Sequence, residues 1–491
     1  MNSSIFPKVI VNWINGQEVP SDNSRLFANL NPHNAEVLCQ VSLSTSNAVD
    51  AAITSAQQAQ AEWSNIPAVR RGQILYDVCN VMHAQRNLIG QIVALETGKS
   101  LKAALGETDG AIALGRFFAG EGQRLHGRTL QSDVPHKTGM TIREPVGIAG
   151  LIVPANTPIA NIAWKVFPAL ICGNAAILKA SEDAPGTAWI FGKIVQETGL
   201  PPGVLNILQG MGVDVGEPLV KHPQVGVISF TGSTQVGRRI ATIAGERLAK
   251  ISLELGGKNP LIVCDDADLE NALRWSILSA FSNAGQRCAS ASRIIVFDSI
   301  YERFEKMLVD ATAKLRLGID DNDNLGPVIN EKQLKNMLMW IDKARSQGAR
   351  IVTGGKRVES ENLGNGYYMS PTILDNVSSD DEISHQELFG PITILYRVHN
   401  YEDALKLANN SKYGLTACIH TNNIHRALHF TKNIQAGLAI VNGGTFGSEP
   451  HMPFGGIKNS GNGTREPGIE ALDVYSEIKA VYLNILPELA H

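Results

Sequence analysis

The sequence predicts an α/β protein with two parallel-sheet lobes and a small β appendage, and three observations lead there. From about Val146, short β-branched runs alternate with helices through GIAGLIVP, AAILKA, VLNILQG, VGVISFTG and KISLELGG. A second alternating series starts at NPLIVC and runs through SRIIVFD, ITILYRV, LTACIHT and LAIVNGG. Strand and helix alternating at this pace means βαβ units, whose crossovers make neighbouring strands parallel. Two segments, GRTLQSDVPHKTGMTIREPVGI and LDVYSEIKAVYLN, are strand-like or hairpin-like and belong to neither series.

In chain order, residues 48–117 open the protein as two or three helices. NAVDAAITSAQQAQAEW is rich in Ala and Gln with apolar spacing, and RGQILYDVCNVMHAQRNLIGQIVALE repeats apolar residues at three and four. In the first series, helices run to Cys172, Thr198 and Leu248 between the strands. In the second, amphipathic helices are expected at about 266–282, 299–315, 330–347, 401–409 and 423–434. The two protruding strand-like segments suit addition to a neighbour's sheet edge, so an oligomer is expected.

A chain of 491 residues exceeds what one core organises. Its 44% hydrophobic and 18% charged content is that of a globular enzyme, and 46 glycines imply many tight turns or close backbone approaches. A net charge of −4 with scattered Lys and Arg excludes a nucleic-acid-binding field. No apolar run reaches the roughly 18–20 residues of a membrane span, and MNSSIFPKVIVNWING lacks the pattern of a secretory signal, so a cytoplasmic protein away from membranes is expected. The cysteines, Cys39, Cys79, Cys172, Cys264, Cys288 and Cys418, show neither a disulfide framework nor zinc spacing; reduced thiols and no metal site are expected.

The strongest local signal is SNAGQRCAS, which places Cys288 in a Gly-containing loop between helix and strand, where a thiol can sit at a lobe junction open to substrate. An arbitrary interior cysteine is more often a small hydrophobe, which suits the other five. ISLELGGKNP puts Glu254 at a strand end before two glycines; there a carboxylate serves as a base or as an ordinary ion-paired group. VISFTGSTQVGRRI reads as strand, turn and helix, so Gly232 and Ser233 form either an anion-binding helix start or a plain cap. AILKASEDAP ends a strand with Lys179, Ser181 and Glu182, suited to ribose hydroxyls or to simple helix capping.

With PANTP (154–158), FTGST (230–234), ELGGK (254–258), GQRC (285–288), ELFGP (387–391) and PFGG (453–456) in this order, the chain resembles the aldehyde dehydrogenase superfamily over almost its full length. The resemblance implies two Rossmann-type lobes with a β oligomerisation element: an NAD-binding domain at 1–121 and 145–256, a catalytic domain at 257–455, and oligomerisation strands at 122–144 and 470–488. It implies that Cys288 attacks an aldehyde, that Asn156 and the Cys288 backbone N–H stabilise the oxyanion, and that Glu254 activates water to hydrolyse the thioester. Lys165 and Glu466 resemble a proton relay. Pro154, Lys179, Ser181, Glu182, Gly232, Ser233, Leu255, Gly256, Glu387 and Phe389 match cofactor contacts. NAD is expected over NADP, because Glu182 would repel a 2′-phosphate. The partners implied are a small aldehyde and further copies of the chain, in a homodimer or homotetramer.

One departure stands out: Ala155 replaces the aromatic residue, usually Trp, that the family frequently has before the asparagine, so the wall beside the nicotinamide is expected to change. Members that pass the acyl group to coenzyme A generally lack a glutamate at the position of Glu254, which argues for hydrolysis. A non-redox cysteine hydrolase leaves the nucleotide-like blocks unexplained, and a silent homologue has no need of Cys288, Glu254 and Asn156 together. VNGGTFGSEPHMPFGG resembles the loop of members acting on oxo-acid semialdehydes and of those acting on aromatic aldehydes. An oxo-acid needs a cation for its carboxylate, and Arg287 is a candidate.

Overall fold

Seven strands form the first sheet, in the order Lys250–Glu254, Val225–Thr231, Ile148–Ile152, Ala175–Lys179, Leu205–Leu208, Asn12–Ile14 and Gln17–Val19. The structure is a computed structural model describing residues 5–21, 24–360, 363 and 365–489. The first five strands are parallel and the last two join antiparallel. Alternate residues feed two cores. Ile148, Ala175, Ile177, Leu208 and Ile228 pack with Ala52, Ile53 and Ala56 of the helix Ser46–Asn65, whereas Leu151, Ala176, Leu178 and Ile207 pack beneath the remaining helices. Burial on both faces explains why these strands read as continuous apolar runs.

The second sheet also has seven strands, ordered Arg350–Thr353, Thr372–Asp375, Ile392–Val398, Ala291–Phe297, Asn259–Val263, Thr416–His420 and Leu438–Val441. All its pairs are parallel except Arg350–Thr353 with Thr372–Asp375. Helices Leu269–Phe281, Tyr301–Thr312, Glu331–Ser346, Tyr401–Asn409 and Ile424–Asn433 lie between its strands in sequence, close to the expected bounds. A separate three-stranded antiparallel sheet joins Ser476–Asn484, Lys137–Pro145 and Thr129–Gln131, from Ser476 opposite Pro145 to Asn484 opposite Lys137. Ile478, Tyr482 and Leu483 on it are exposed.

The helical opening differs from the expected two or three helices: there are four, Ser46–Asn65, Ala68–Ala84, Arg86–Thr97 and Leu101–Glu121. The second and third read as one because only Gln85 separates them, with no Gly or Pro to mark the break. The first sheet's antiparallel edge, Asn12–Ile14 and Gln17–Val19, and the second's Arg350–Thr353 and Thr372–Asp375 are three or four residues long, too short for period-two alternation to register.

Candidate active site

The C-terminal ends of four parallel strands stand in one row: Ile152 pairs with Lys179 and with Phe230, and Thr231 pairs with Glu254. Ligands of open α/β sheets bind outside such ends. Here the chain leaves the row as Pro154 to Asn156, as Gly232 to Thr234, and as Leu255 to Gly257. The turn at Gly232 leads into the helix Thr234–Glu246, capped by Ser233, whose Oγ accepts the Val236 N–H at 3.4 Å. The remaining free N–H groups of that first turn make a site for an anion.

Cys288 approaches this row from the other lobe. After the helix Leu269–Phe281, Asn283 (φ 56°), Ala284 (φ 52°) and Gly285 (φ 67°) are successively left-handed, a conformation costly for the two residues that carry a Cβ. The turn is held from outside. The Gln286 amide donates to Pro327 O (3.3 Å) and accepts the Ile329 N–H (2.9 Å), and Asn259 Nδ2 donates to the carbonyls of Cys288 (2.7 Å) and Ser290 (2.9 Å). Glycines permit close backbone approach around the cysteine loop: a Cβ on Gly257 would lie 2.5 Å from Cys288 O, and one on Gly285 would lie 2.0 Å from Gly390 O within the second lobe. The double glycine after Glu254 therefore lets its strand end press against the cysteine loop.

Two cavities meet at Cys288. One, of about 800 Å³, is lined by Pro154, Asn156, Gly232, Ser233, Glu254, Leu255, Gly256, Glu387, Phe389 and Cys288. The other, of about 570 Å³, lies between the helix Leu101–Glu121 and the segment around Phe446, and its lining includes Lys99, Glu107, Asn156, Arg287 and Cys288. Trp164 and Phe454 line both, their ring centroids 5.2 Å apart in an edge-to-face pair.

Burial dominates the electrostatics of the first cavity. It pushes the Glu254 carboxyl well above its usual range, with the charge of Glu466 adding and Lys165 opposing. It likewise raises Glu387 to about 7, although Glu387 accepts the Gly257 N–H at 2.9 Å; outside the cavity lining, burial lowers Lys258 to about 7. Burial also pushes the Cys288 thiol up to about 12, with Glu387 and Glu254 adding to the shift. Both Glu254 oxygens and Thr231 Oγ1 are buried without a hydrogen-bond partner among the described residues. Such groups fit a site whose polar contacts are completed by a bound molecule or water.

Behind Glu254 lies a closed polar cluster. Fully buried Lys165 and Glu466 pair at 2.9 Å; Ser229 Oγ accepts from Lys165 Nζ (2.6 Å) and donates to Glu466 (2.7 Å), and the Tyr475 hydroxyl donates to Glu466 at 3.2 Å. Neither Lys165 nor Glu466 lines the cavities.

Three further residues singled out in the sequence also lie outside the cavity lining: Lys179, Ser181 and Glu182 sit at the adjacent strand end. There Lys179 Nζ pairs with Glu182 Oε1 at 2.8 Å, and the same oxygen accepts the Gly212 N–H at 2.7 Å. Ala155 is buried and lines neither cavity, so the aromatic wall comes from Trp164 and Phe454. Sequence reading passed over Lys99, Glu107 and Trp164, and met Phe454 only as part of PFGG, without a role. For Trp164 a signal existed: Thr157, Asn161 and Trp164 follow i, i+4, i+7 at the start of the helix Pro158–Ile171 and line one cavity.

Comparison with known proteins agrees with this geometry. The model of the aldehyde dehydrogenase family matches residues 19–481. The chain is 40% identical to alpha-ketoglutaric semialdehyde dehydrogenase of Bacillus subtilis, covering 96% of this chain and 98% of that protein. It is 36% identical to retinaldehyde dehydrogenase 3 of Mus musculus, over 96% of this chain and 92% of the other. The solved structure of betaine aldehyde dehydrogenase from Staphylococcus aureus in complex with NAD+ superposes with a TM-score of 0.95 at 32% identity, over 98% of this chain and 96% of that one. The chain belongs to the aldehyde dehydrogenase family.

Proposed function

We propose that this protein oxidises an aldehyde bearing a carboxylate to the corresponding acid, with NAD as hydride acceptor and Cys288 as nucleophile. The observation that carries the reading is the meeting of two cavities at Cys288, one along a row of strand ends suited to a nucleotide and one suited to a small substrate. Cys288, once deprotonated, adds to the aldehyde carbon, and the resulting oxyanion takes hydrogen bonds from Asn156 Nδ2 and the Cys288 N–H. Asn156 Nδ2 donates to Gln286 O at 3.0 Å, so its amide is turned to the cysteine loop. The chemistry supplied by bound NAD is hydride acceptance, which turns the Cys288 thiohemiacetal into a thioester.

Glu254 then takes a proton from water, the hydroxide adds to the thioester carbonyl, and the Cys288 thiolate leaves as the carboxylate product forms. Burial makes Glu254 a stronger base than an exposed carboxylate, and the Lys165–Glu466 cluster behind it offers a route for the proton. Pro154, Gly232, Ser233, Leu255 and Gly256 would cradle the pyrophosphate and nicotinamide, and Glu387 and Phe389 the nicotinamide ribose and ring. Lys179, Ser181 and Glu182 would hold the adenosine ribose, the Glu182 charge disfavouring a 2′-phosphate.

Arg287 supports the substrate class. Its guanidinium faces the Phe446 ring at 4.9 Å, its Nε is buried without a partner, and the carboxylate whose charge reaches it, Glu107, is itself paired with Lys99. A half-buried cation with an orphaned Nε, hydrogen-bonded to no carboxylate among the described residues and offset only by the nearby charge of Glu107, favours an anionic substrate. The relative that is 40% identical is named for alpha-ketoglutaric semialdehyde, an aldehyde of this class. The aromatic lining by Trp164, Phe446 and Phe454 favours a second reading, an aromatic aldehyde. NADH formation measured with an oxo-acid semialdehyde, a neutral aliphatic aldehyde and benzaldehyde, with NAD and with NADP, decides between them. A preference for benzaldehyde or for NADP overturns the corresponding assignment.

We further propose that the three-stranded sheet, with exposed Ile478, Tyr482 and Leu483, joins subunits into a homodimer or homotetramer. A monomer in light scattering would reject this. No described helix is long and apolar enough to cross a membrane. Six unpaired cysteines support a reducing, cytoplasmic setting, which fractionation of the expressing cells tests.

A further inference from the structure

We infer that the buried Lys99–Glu107 ion pair is a positioning device for Asn156, clamping the backbone of the oxyanion-binding residue to the first turn of the helix that follows it. The inference rests on the reading of Asn156 as an oxyanion donor. The helix Pro158–Ile171 starts without a cap from its own Thr157. Glu107, reaching across from the helix Leu101–Glu121, supplies one: its Oε1 accepts the N–H groups of Ile159 (3.0 Å) and Ala160 (3.3 Å). Its other oxygen accepts from Lys99 Nζ at 2.5 Å, and Lys99 Nζ also donates to the Asn156 carbonyl at 2.9 Å. One ionic bridge thus fixes both sides of the Asn156–Thr157–Pro158 corner. Asn283, at the left-handed turn of the cysteine loop, donates to the same Asn156 carbonyl at 3.3 Å.

Both charged side chains are nearly closed off from solvent, at 7% and 6% exposure. Burying such a pair usually yields little net stability compared with an apolar pair of the same shape, so its presence beside this corner suits a geometric role. Glu107 also bonds to Lys99 and two backbone N–H groups, so that, among the described residues, it makes no ion pair with Arg287 in the same cavity.

The test compares Lys99→Met, Asn156→Ala and the double variant, with Glu107→Gln as a milder companion that keeps an oxygen acceptor for Ile159 and Ala160. Displacing an oxyanion donor by a fraction of an ångström to 1 Å should cost roughly 10- to 100-fold in kcat. Lys99→Met is therefore expected to lower kcat by that much with KM for NAD within twofold of wild type, and the pre-steady-state rate of NADH formation should fall in parallel. The double variant should be no slower than Asn156→Ala, because there is then no donor left to misplace. Melting curves and NAD titration establish that each variant is folded; should Lys99→Met not fold, Glu107→Gln and its double with Asn156→Ala carry the same comparison. A folded Lys99→Met at the wild-type rate, or losses that multiply in the double variant, overturn the clamp while leaving Asn156 in its role. A wild-type rate for Asn156→Ala would instead reject the oxyanion assignment, and the clamp with it.

Discussion

On the nucleotide side of Cys288 the cavity carries two buried carboxyls, Glu254 and Glu387, both raised by burial, with Arg238 and Lys412 also in its lining; on the other side the charged lining is Lys99 and Arg287 with Glu107 and Asp323. The first side is organised to move protons: a carboxyl held above its usual range is a useful base near neutral pH. The second can receive charge: Glu107 is bonded to Lys99 and a helix start, Asp323 lies 4.0 Å from Arg316, and Arg287 pairs with no carboxylate among the described residues. A division of labour follows. Changes on the nucleotide side should alter the rate for any aldehyde, whereas Arg287 should discriminate between aldehydes.

The largest effect is expected at the junction itself. Cys288→Ala should lower NADH formation by more than about 10⁴-fold with every aldehyde, and a residual rate near wild type would remove the covalent route altogether. Next, Glu254→Gln should slow steady-state turnover by about 10²- to 10⁴-fold while leaving a burst of NADH equal to the active sites, with an acyl adduct visible by intact-mass measurement. Loss of the burst would move Glu254 to an earlier step.

The same carboxyl sets the sign of the pH dependence. Because its pKa is raised, Glu254 is neutral at acidic pH and becomes a base only as pH climbs through the shifted value; turnover should therefore rise with pH, well above the ordinary carboxylate range. The Cys288 thiol, raised to about 12, adds a further gain on the alkaline side in kcat/KM. A kcat profile already flat from pH 5 upward would contradict the buried base.

The smallest effect is the one that separates the cavities. Arg287→Met should lower kcat/KM for a carboxylate-bearing aldehyde by roughly 10- to 100-fold, the worth of one charged hydrogen bond, and change that for a neutral aldehyde of equal length by less than about threefold. Equal losses for both would make Arg287 a packing residue over Phe446 and return the substrate question to the aromatic lining.

Particular residues show where sequence reading reached and where it stopped. Glu254, Gly256, Gly257 and Cys288 were legible because each sits in a short block whose chemistry is local: a strand end, a pair of glycines, a loop cysteine. The structure adds why the glycines are there, since a Cβ at Gly257 would strike the cysteine's carbonyl. Ala155 illustrates the converse. Its departure suggested an altered nicotinamide wall; the structure shows Ala155 in neither cavity lining, and the aromatic pair shared by both cavities is Trp164 and Phe454, nearly three hundred positions apart in sequence. Lys99 and Glu107 look like ordinary polar residues around a helix start; nothing in their spacing announces that both are buried.

The sequence by itself determined the alternating strands and helices, the row of strand ends and the order of the reactive blocks, because periodicity, glycine placement and turn chemistry act over a few residues. Only the tertiary structure decided that Arg287 faces the substrate cavity, that Glu107 caps a helix not its own, and that two lobes close on Cys288. Those are matters of which surfaces are brought together and dehydrated, and burial, which sets both the ion pairs and the pKa shifts, depends on atoms distant in sequence.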